Sequence, residues 1–199
     1  MGGSFDPVHR AHVALAEVAL HHLALDEVRW IPVGQPWQKA RQLAARASRR
    51  AMVELATAHE PRFTVEPFEL DRAGPSYTRD SVKALQGAAT EATQGFLILG
   101  QDQYANFPTW QGWRDLLPVL TLAVACRGPH LPAAPTAMQG LNYRVVELPL
   151  PPLNISSTDI RARLARGEDP LSLAPELVSE PVARYIATHQ LYAPGGAPR

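Results

Sequence analysis

The chain has 199 residues, 46% of them hydrophobic and 19% charged, and its 19 basic side chains balance its 19 acidic ones. That is enough apolar material for one globular domain with a full core, and the neutrality argues against a general nucleic-acid or membrane-surface binder. The single cysteine, Cys126, lies in an apolar run and reads as a buried thiol in a reducing cytosol, with no secretory signal and no apolar run of roughly twenty residues to span a bilayer. The sequence predicts a cytoplasmic protein in which local charge and backbone N–H groups must hold any anionic ligand.

In chain order, the first feature is MGGSFDPVHRAH. Gly2 and Gly3 have no Cβ, so their backbone either lets a bulky anion come close or adopts positive φ. Asp6-Pro7 has the chemistry of an N-cap and first-turn pair. A helix beginning there puts His9 and His12 on one face, whereas a helix beginning near Arg10 puts His12 in its first turn. In both cases the imidazoles come near a helix N-terminus, where amides and the macrodipole favour phosphate. A bare His-x-x-His also describes two surface histidines beside a turn. A zinc site that recruits His21 and His22 is a rival, disfavoured by the lone cysteine and the lack of a matching ligand pair. Neither a P-loop nor Gly-x-Gly-x-x-Gly is present.

Helical spacing over Val13–Leu23 leads to VRWIPV (28–33), then to a helix over Arg49–His59 with Met52, Leu55 and Ala56 on one face. FTVEPFEL (63–70) reads as a strand, and Ser81–Ala89 as a helix that places Val82 and Leu85 together. FLILG (96–100), LTLAVAC (120–126) and YRVVELPL (143–150) read as further strands. Strands alternating with helices predict an α/β, Rossmann-like, doubly wound and mainly parallel sheet with helices on both faces. Such a sheet binds ligands at the carboxyl ends of its strands. Next, Ile155-Ser-Ser-Thr-Asp-Ile-Arg161 opens a helix through Arg166, with Ser156 and Asp159 spaced as in a capping box. Alone, it is a capped helix with an exposed arginine. Paired with the first loop, it can cradle a polyphosphate from a second side. A helix near Pro181–His189 closes a single domain over residues 1–192, and 193–199 reads as a flexible tail.

GGSFDPVHRAH resembles the His-x-Gly-His motif of the α/β-phosphodiesterase nucleotidyltransferases, and ISSTDIR resembles their second signature. PSYTRDSVKAL (75–85), FLILGQDQYANFPTW (96–110), ACRGP (125–129) and RYIATHQLY (184–192) are similar, in family order, to segments of the bacterial nicotinate-nucleotide adenylyltransferases. The resemblance runs from Gly2 to about Tyr192. It implies adenylyl transfer from ATP to nicotinate mononucleotide, giving deamido-NAD and pyrophosphate. The acceptor phosphate attacks in line without a covalent enzyme intermediate, and Mg²⁺ is held mainly by substrate phosphates. It also implies a catalytic set of His9, His12, Lys39 and Arg161, with His12 the main stabiliser of the α-phosphate. Gly2, Gly3, Ser4, Phe5, Ser156, Ser157 and Thr158 would line the ATP site. Tyr77, Thr78, Asp102 and Trp110 would receive the nicotinate nucleotide, Trp110 beneath the pyridine ring, Thr78 near its carboxylate and Asp102 at the ribose. The plainer readings of these last residues are a helix cap for Asp102, packing for Tyr77 and core for Trp110.

The chain departs from the motif in places. Ala11 replaces a glycine, Ser4 replaces a threonine and keeps the hydroxyl, and Gln38 in Trp37-Gln38-Lys39 replaces a histidine and receives no phosphate role. The family's first strand runs directly into the Gly-Gly turn, and a strand needs about five residues. With only Met1 ahead of the turn, the expectation is that a short apolar strand precedes the numbered start, or else that the sheet has a gap there with exposed ladder groups. Two alternatives remain at this stage. One is a related adenylyltransferase acting on nicotinamide mononucleotide or phosphopantetheine, and the other is a nucleotide-binding regulatory domain without turnover.

Overall fold

The computed structural model describes residues 1–35, 43–88, 92–126 and 130–194. In chain order the elements are β1 (Gly2–Gly3), α1 (Arg10–His22), β2 (Val28–Pro32), α2 (Arg46–Thr57), β3 (Phe63–Val65), α3 (Phe68–Asp71), α4 (Thr78–Ala88), β4 (Gly95–Gly100), α5 (Gln101–Asn106), α6 (Trp113–Leu116), β5 (Leu120–Ala125), β6 (Arg144–Leu148), α7 (Ser157–Ala165) and α8 (Glu180–Thr188). The chain divides into two compact units. One comprises Met1, Leu15–Leu25 and Ser76–Pro152, the other Gly2–Ala14, Asp26–Pro75 and Leu153–Arg199. None of the helices is long and apolar enough to cross a membrane among the described residues.

The first unit is built on a parallel sheet in the order β4-β5-β6, with Leu97 opposite Leu122 and Leu122 opposite Val145. β5 is its middle strand, and all six of its residues are buried. A strand covered on both faces reads as a near-continuous apolar run, and LTLAVAC does, with Thr121 its one polar residue. Leu97, Leu99, Phe107, Leu116, Leu122 and Val124 form its core, with Cys126 buried at the edge as a free thiol. Burial pushes that thiol's pKa up.

The second unit holds a parallel sheet in the order β1-β2-β3. β1 carries two rungs, Gly2 opposite Ile31 and Gly3 opposite Pro32, and Val33 N–H donates to the Gly3 carbonyl at 2.9 Å. α2 turns Met52, Val53 and Ala56 inward and packs on β2, β3 and α8. The run FTVEPFEL does not stay extended. Its strand ends at Val65, and Pro67 caps α3, which begins at Phe68. The cause is Pro67, which fixes φ and has no N–H to give a ladder. Strands β2, β4, β5 and β6, and helices α1, α2, α4, α7 and α8, lie where the sequence reading puts them within a few residues, whereas Gly2–Gly3, read as a turn, pair with β2 as the short β1. Residues 195–199, most of the expected tail, and Ala89 lie outside the described residues.

Leu122 is fully buried, whereas Leu55 on α2 is 37% exposed. Leu122→Ala should lower the unfolding free energy by about 2–5 kcal/mol, and Leu55→Ala by under about 0.5 kcal/mol. Urea denaturation of the two variants measures the difference.

Candidate active site

The two candidate anion-binding segments, 150 residues apart in sequence, meet in the second unit. Ser157 Oγ donates to the Pro7 carbonyl at 2.9 Å, and Arg161 Nη1 donates to the Asp6 carbonyl at 2.6 Å. α7 starts as the sequence predicts: Ser156 is its N-cap, and its hydroxyl accepts from Asp159 N–H at 3.1 Å. The first N–H groups of a helix have no intrahelical partner, so Ser157 and Thr158 sit at an end that favours anions. Arg161 Nη2 also donates to Thr158 Oγ1 at 3.2 Å, which holds the guanidinium beside that end.

The opening loop is organised differently from the Asp6-Pro7 cap expected of it. α1 begins at Arg10, and the His9 carbonyl accepts from the N–H groups of His12 and Val13 at 2.9 and 3.3 Å. Asp6 is instead fully buried. Its Oδ1 accepts from Ala44 N–H at 3.2 Å and from the Tyr192 hydroxyl at 2.7 Å. The carboxyl group thus joins the first loop to the α2 entry and to the chain's last described turn, which gives more burial than a cap would. Arg10 adds two ties, N–H to the Leu177 carbonyl at 2.8 Å and Nη1 to the Pro175 carbonyl at 3.0 Å. The loop is pinned from three sides.

Neither Gly2 nor Gly3 adopts positive φ; that role falls to Phe5, at φ 45°. The left-handed region costs a non-glycine residue roughly 1–2 kcal/mol, held here by a ring that is 1% exposed and packs on Trp30 and, edge-on, on His12. A Cβ on Gly3 would lie 2.8 Å from that ring, so the glycine makes room for Phe5. At Gly2 a Cβ would meet only the Ile31 carbonyl, at 3.9 Å, so this residue stays open to a ligand. The Phe5 side chain thus belongs to the core, which leaves only its backbone to offer a ligand.

His9 and His12 stack with ring centroids 3.7 Å apart. The His9 N–H donates to His12 Nδ1 at 3.2 Å, so the neutral His12 ring carries its proton on Nε2. His9 is 7% exposed, and its Nδ1 finds no hydrogen-bond partner among the described residues. Burial lowers its pKa to about 4, against a smaller opposing pull from its own backbone. His9 is thus neutral near pH 7. His21 and His22 lie exposed in the last turn of α1. Among the described residues no three His, Cys, Asp or Glu side chains gather where they could hold a metal ion. Lys39, with Trp37 and Gln38, lies outside the described residues.

Tyr77, Thr78, Asp102 and Trp110 belong to the other unit. The Tyr77 carbonyl accepts from Asp80 and Ser81 N–H groups at 3.0 and 3.3 Å, and Thr78 is the first residue of α4. Asp102 is exposed in the first turn of α5, whose N-cap is Gly100, so it is no cap. Trp110 is half-buried, its ring 5.5 Å from Phe107 and packed on the core, with part of its surface accessible.

Sequence reasoning missed two residues that build this site. Arg49 is 1% exposed and donates to the carbonyls of Ala44, Ser4, Val33 and Gly34. Its signal was present, because an arginine sits in the buried stripe with Met52, Val53 and Ala56. Tyr192 ties down Asp6 from the far end of the chain, and nothing local in the sequence marks that pairing.

A family model described as cytidylyltransferase-like matches residues 1–163. Among curated proteins, the chain is 48% identical over 199 residues to a "Probable nicotinate-nucleotide adenylyltransferase" of Methylibium petroleiphilum, covering 99% of this chain and 93% of that one. A protein of the same name from Bordetella pertussis is 45% identical, covering 96% and 95%. Among solved structures, a nicotinic acid mononucleotide adenylyltransferase of Plasmodium falciparum complexed with NaAD superposes with a TM-score of 0.73 at 18% identity, covering 96% of this chain and 94% of that chain. The same protein complexed with APC gives a TM-score of 0.71. These structural likenesses show a shared Rossmann-like fold.

The His9 environment predicts a pH signature. An unfolded histidine takes up its proton near pH 6.5, whereas folded His9 does so only at about 4. Its contribution is whole above pH 6.5 and is lost as pH falls from 6.5 towards 4, by about 3 kcal/mol at most. Urea melts across that window should show a shallower decline for His9→Gln than for the wild type.

Proposed function

The chain belongs to the nicotinate-nucleotide adenylyltransferase family, within the cytidylyltransferase-like proteins, and we propose that it joins nicotinate mononucleotide to the AMP portion of ATP, releasing pyrophosphate. The observation that carries this reading is the junction of Ser157 with Pro7 and Arg161 with Asp6. It brings two histidines, an arginine and an open helix end into one unit of a chain with no net charge.

In this reading Gly2, Gly3, Ser4 and Phe5 offer backbone to ATP. Ser156 caps α7, and Ser157, Thr158 and Arg161 receive the β- and γ-phosphates. His12 aims its Nε2–H at the α-phosphate, where charge builds as the acceptor phosphate attacks in line. A donor fixed beforehand needs no reorganisation as that charge develops. His9 stacks behind it and keeps the His12 tautomer through its N–H. Because burial holds His9 neutral, the positive charge at the phosphates comes from Arg161 and, in the proposal, from Lys39. Mg²⁺, when bound, would spread charge over the phosphate oxygens. In the proposal the ion is held mainly by the substrate phosphates. Tyr77, Thr78, Asp102 and Trp110 receive the nicotinate nucleotide. The proposal treats residues 1–192 as one nucleotidyltransferase domain and places it in the cytoplasm, where the Cys126 thiol stays reduced.

The assay is pyrophosphate release from ATP with nicotinate mononucleotide. The expected kcat/KM for nicotinamide mononucleotide is at least about tenfold lower, because the amide mismatches donors set for a carboxylate. Equal values would overturn the choice of acceptor. His12→Ala should lower kcat by roughly 10²–10³, and a change under about threefold would remove His12 from its proposed place.

A further inference from the structure

Behind the phosphate loop lies one side chain that the proposed reaction does not use directly. Arg49, in the first turn of α2, is 1% exposed. Its Nε donates to the Ala44 carbonyl at 3.1 Å. Nη1 donates to Ser4 at 3.0 Å and Val33 at 2.6 Å, and Nη2 to Gly34 at 3.2 Å. Ser4 follows β1, Val33 and Gly34 follow β2, and Ala44 precedes α2. The guanidinium therefore fastens the carboxyl ends of two neighbouring parallel strands to one helix, at the edge where such sheets bind ligands.

We propose that Arg49 is a positioning residue for the nucleotide phosphates, a role that rests on the adenylyl-transfer reading and extends it. Peptides are planar and trans, so N–H and C=O point opposite ways. Holding the carbonyls of Ser4, Val33 and Gly34 towards α2 turns the N–H groups of Phe5, Gly34 and Gln35 away from it. Arg49 thereby sets the direction of the loop amides. Ala44 links the same clamp to the loop a second time, since its N–H donates to Asp6 Oδ1 while its carbonyl accepts from Arg49. The guanidinium also places a positive charge 3.0 Å behind the Ser4 carbonyl. A lysine would keep the charge and lose the fork, because one ammonium nitrogen cannot meet four acceptors spread over three segments.

That difference is the test. Binding of a non-hydrolysable ATP analogue is measured by calorimetry for the wild type, Arg49→Lys and Arg50→Gln, with circular dichroism at about 15 °C and KM values for both substrates alongside. Arg50 is the neighbouring exposed residue, ion-paired to Glu54 on the same helix. The expected result is a folded Arg49→Lys with nucleotide affinity lowered at least about tenfold, KM for nicotinate mononucleotide within about threefold, and Arg50→Gln like the wild type. A merely structural arginine would lower the melting temperature and leave nucleotide affinity of the folded protein within about threefold, which overturns the proposal. If Arg49→Lys does not fold, Arg49→Ala is tested with about 50 mM guanidinium chloride against equal sodium chloride. Recovery of analogue binding by guanidinium alone supports positioning, and failure to bind or to fold under both salts overturns it. Wild-type binding of the analogue without pyrophosphate release would remove the proposed reaction and leave the Arg49 comparison standing. No binding by the wild type overturns both.

Discussion

The Arg161 guanidinium donates to the Asp6 carbonyl at 2.6 Å, and the Ser157 hydroxyl to the Pro7 carbonyl at 2.9 Å. These two bonds close a chain of about 150 residues on itself, and the site depends on them. Each is worth only about 1 kcal/mol net, but breaking one leaves a buried carbonyl unmet at about 1–3 kcal/mol. Further side chains hold the same loop: Arg49 at Ser4, Tyr192 at Asp6, and Arg10 reaching to Pro175.

The electrostatics of this arrangement are local. With 19 basic and 19 acidic side chains, the protein draws no anion by its overall field. It concentrates donors at one place, where the open end of α7, Arg161 and His12 lie on one unit, with His9 kept neutral by burial behind His12. In the proposed reaction the His12 donor is fixed beforehand, by its stack on His9 and the His9 N–H, for charge that appears only as the bond is made.

Much of this was legible in the sequence, and the misses have physical causes. LTLAVAC announced a doubly covered strand because burial on both faces leaves a nearly continuous apolar run, broken only by Thr121. Ser156 announced the α7 cap because capping is a three-residue affair. FTVEPFEL misled because its apolar run continues past Pro67, where the backbone changes element. Asp6 misled more instructively. Asp before Pro has the local chemistry of a cap, yet its carboxyl group is claimed by Ala44 and Tyr192, partners 38 and 186 residues away. Arg49 was hidden in the same way: an arginine in an apolar stripe says that something polar is buried, and only the fold says that the partners are loop carbonyls. A Cβ on Gly3 would also meet the Phe5 ring, a packing need that nothing local in the sequence marks.

The central claim is that one nucleotide lies across both ends of the sequence. A crystal structure with a non-hydrolysable ATP analogue tests it most directly. The account predicts phosphate oxygens within about 3 Å of both His12 Nε2 and the Arg161 guanidinium, with a β- or γ-oxygen at the Ser157–Thr158 end of α7. A triphosphate ordered elsewhere, or touching one of these segments and not the other, would contradict it.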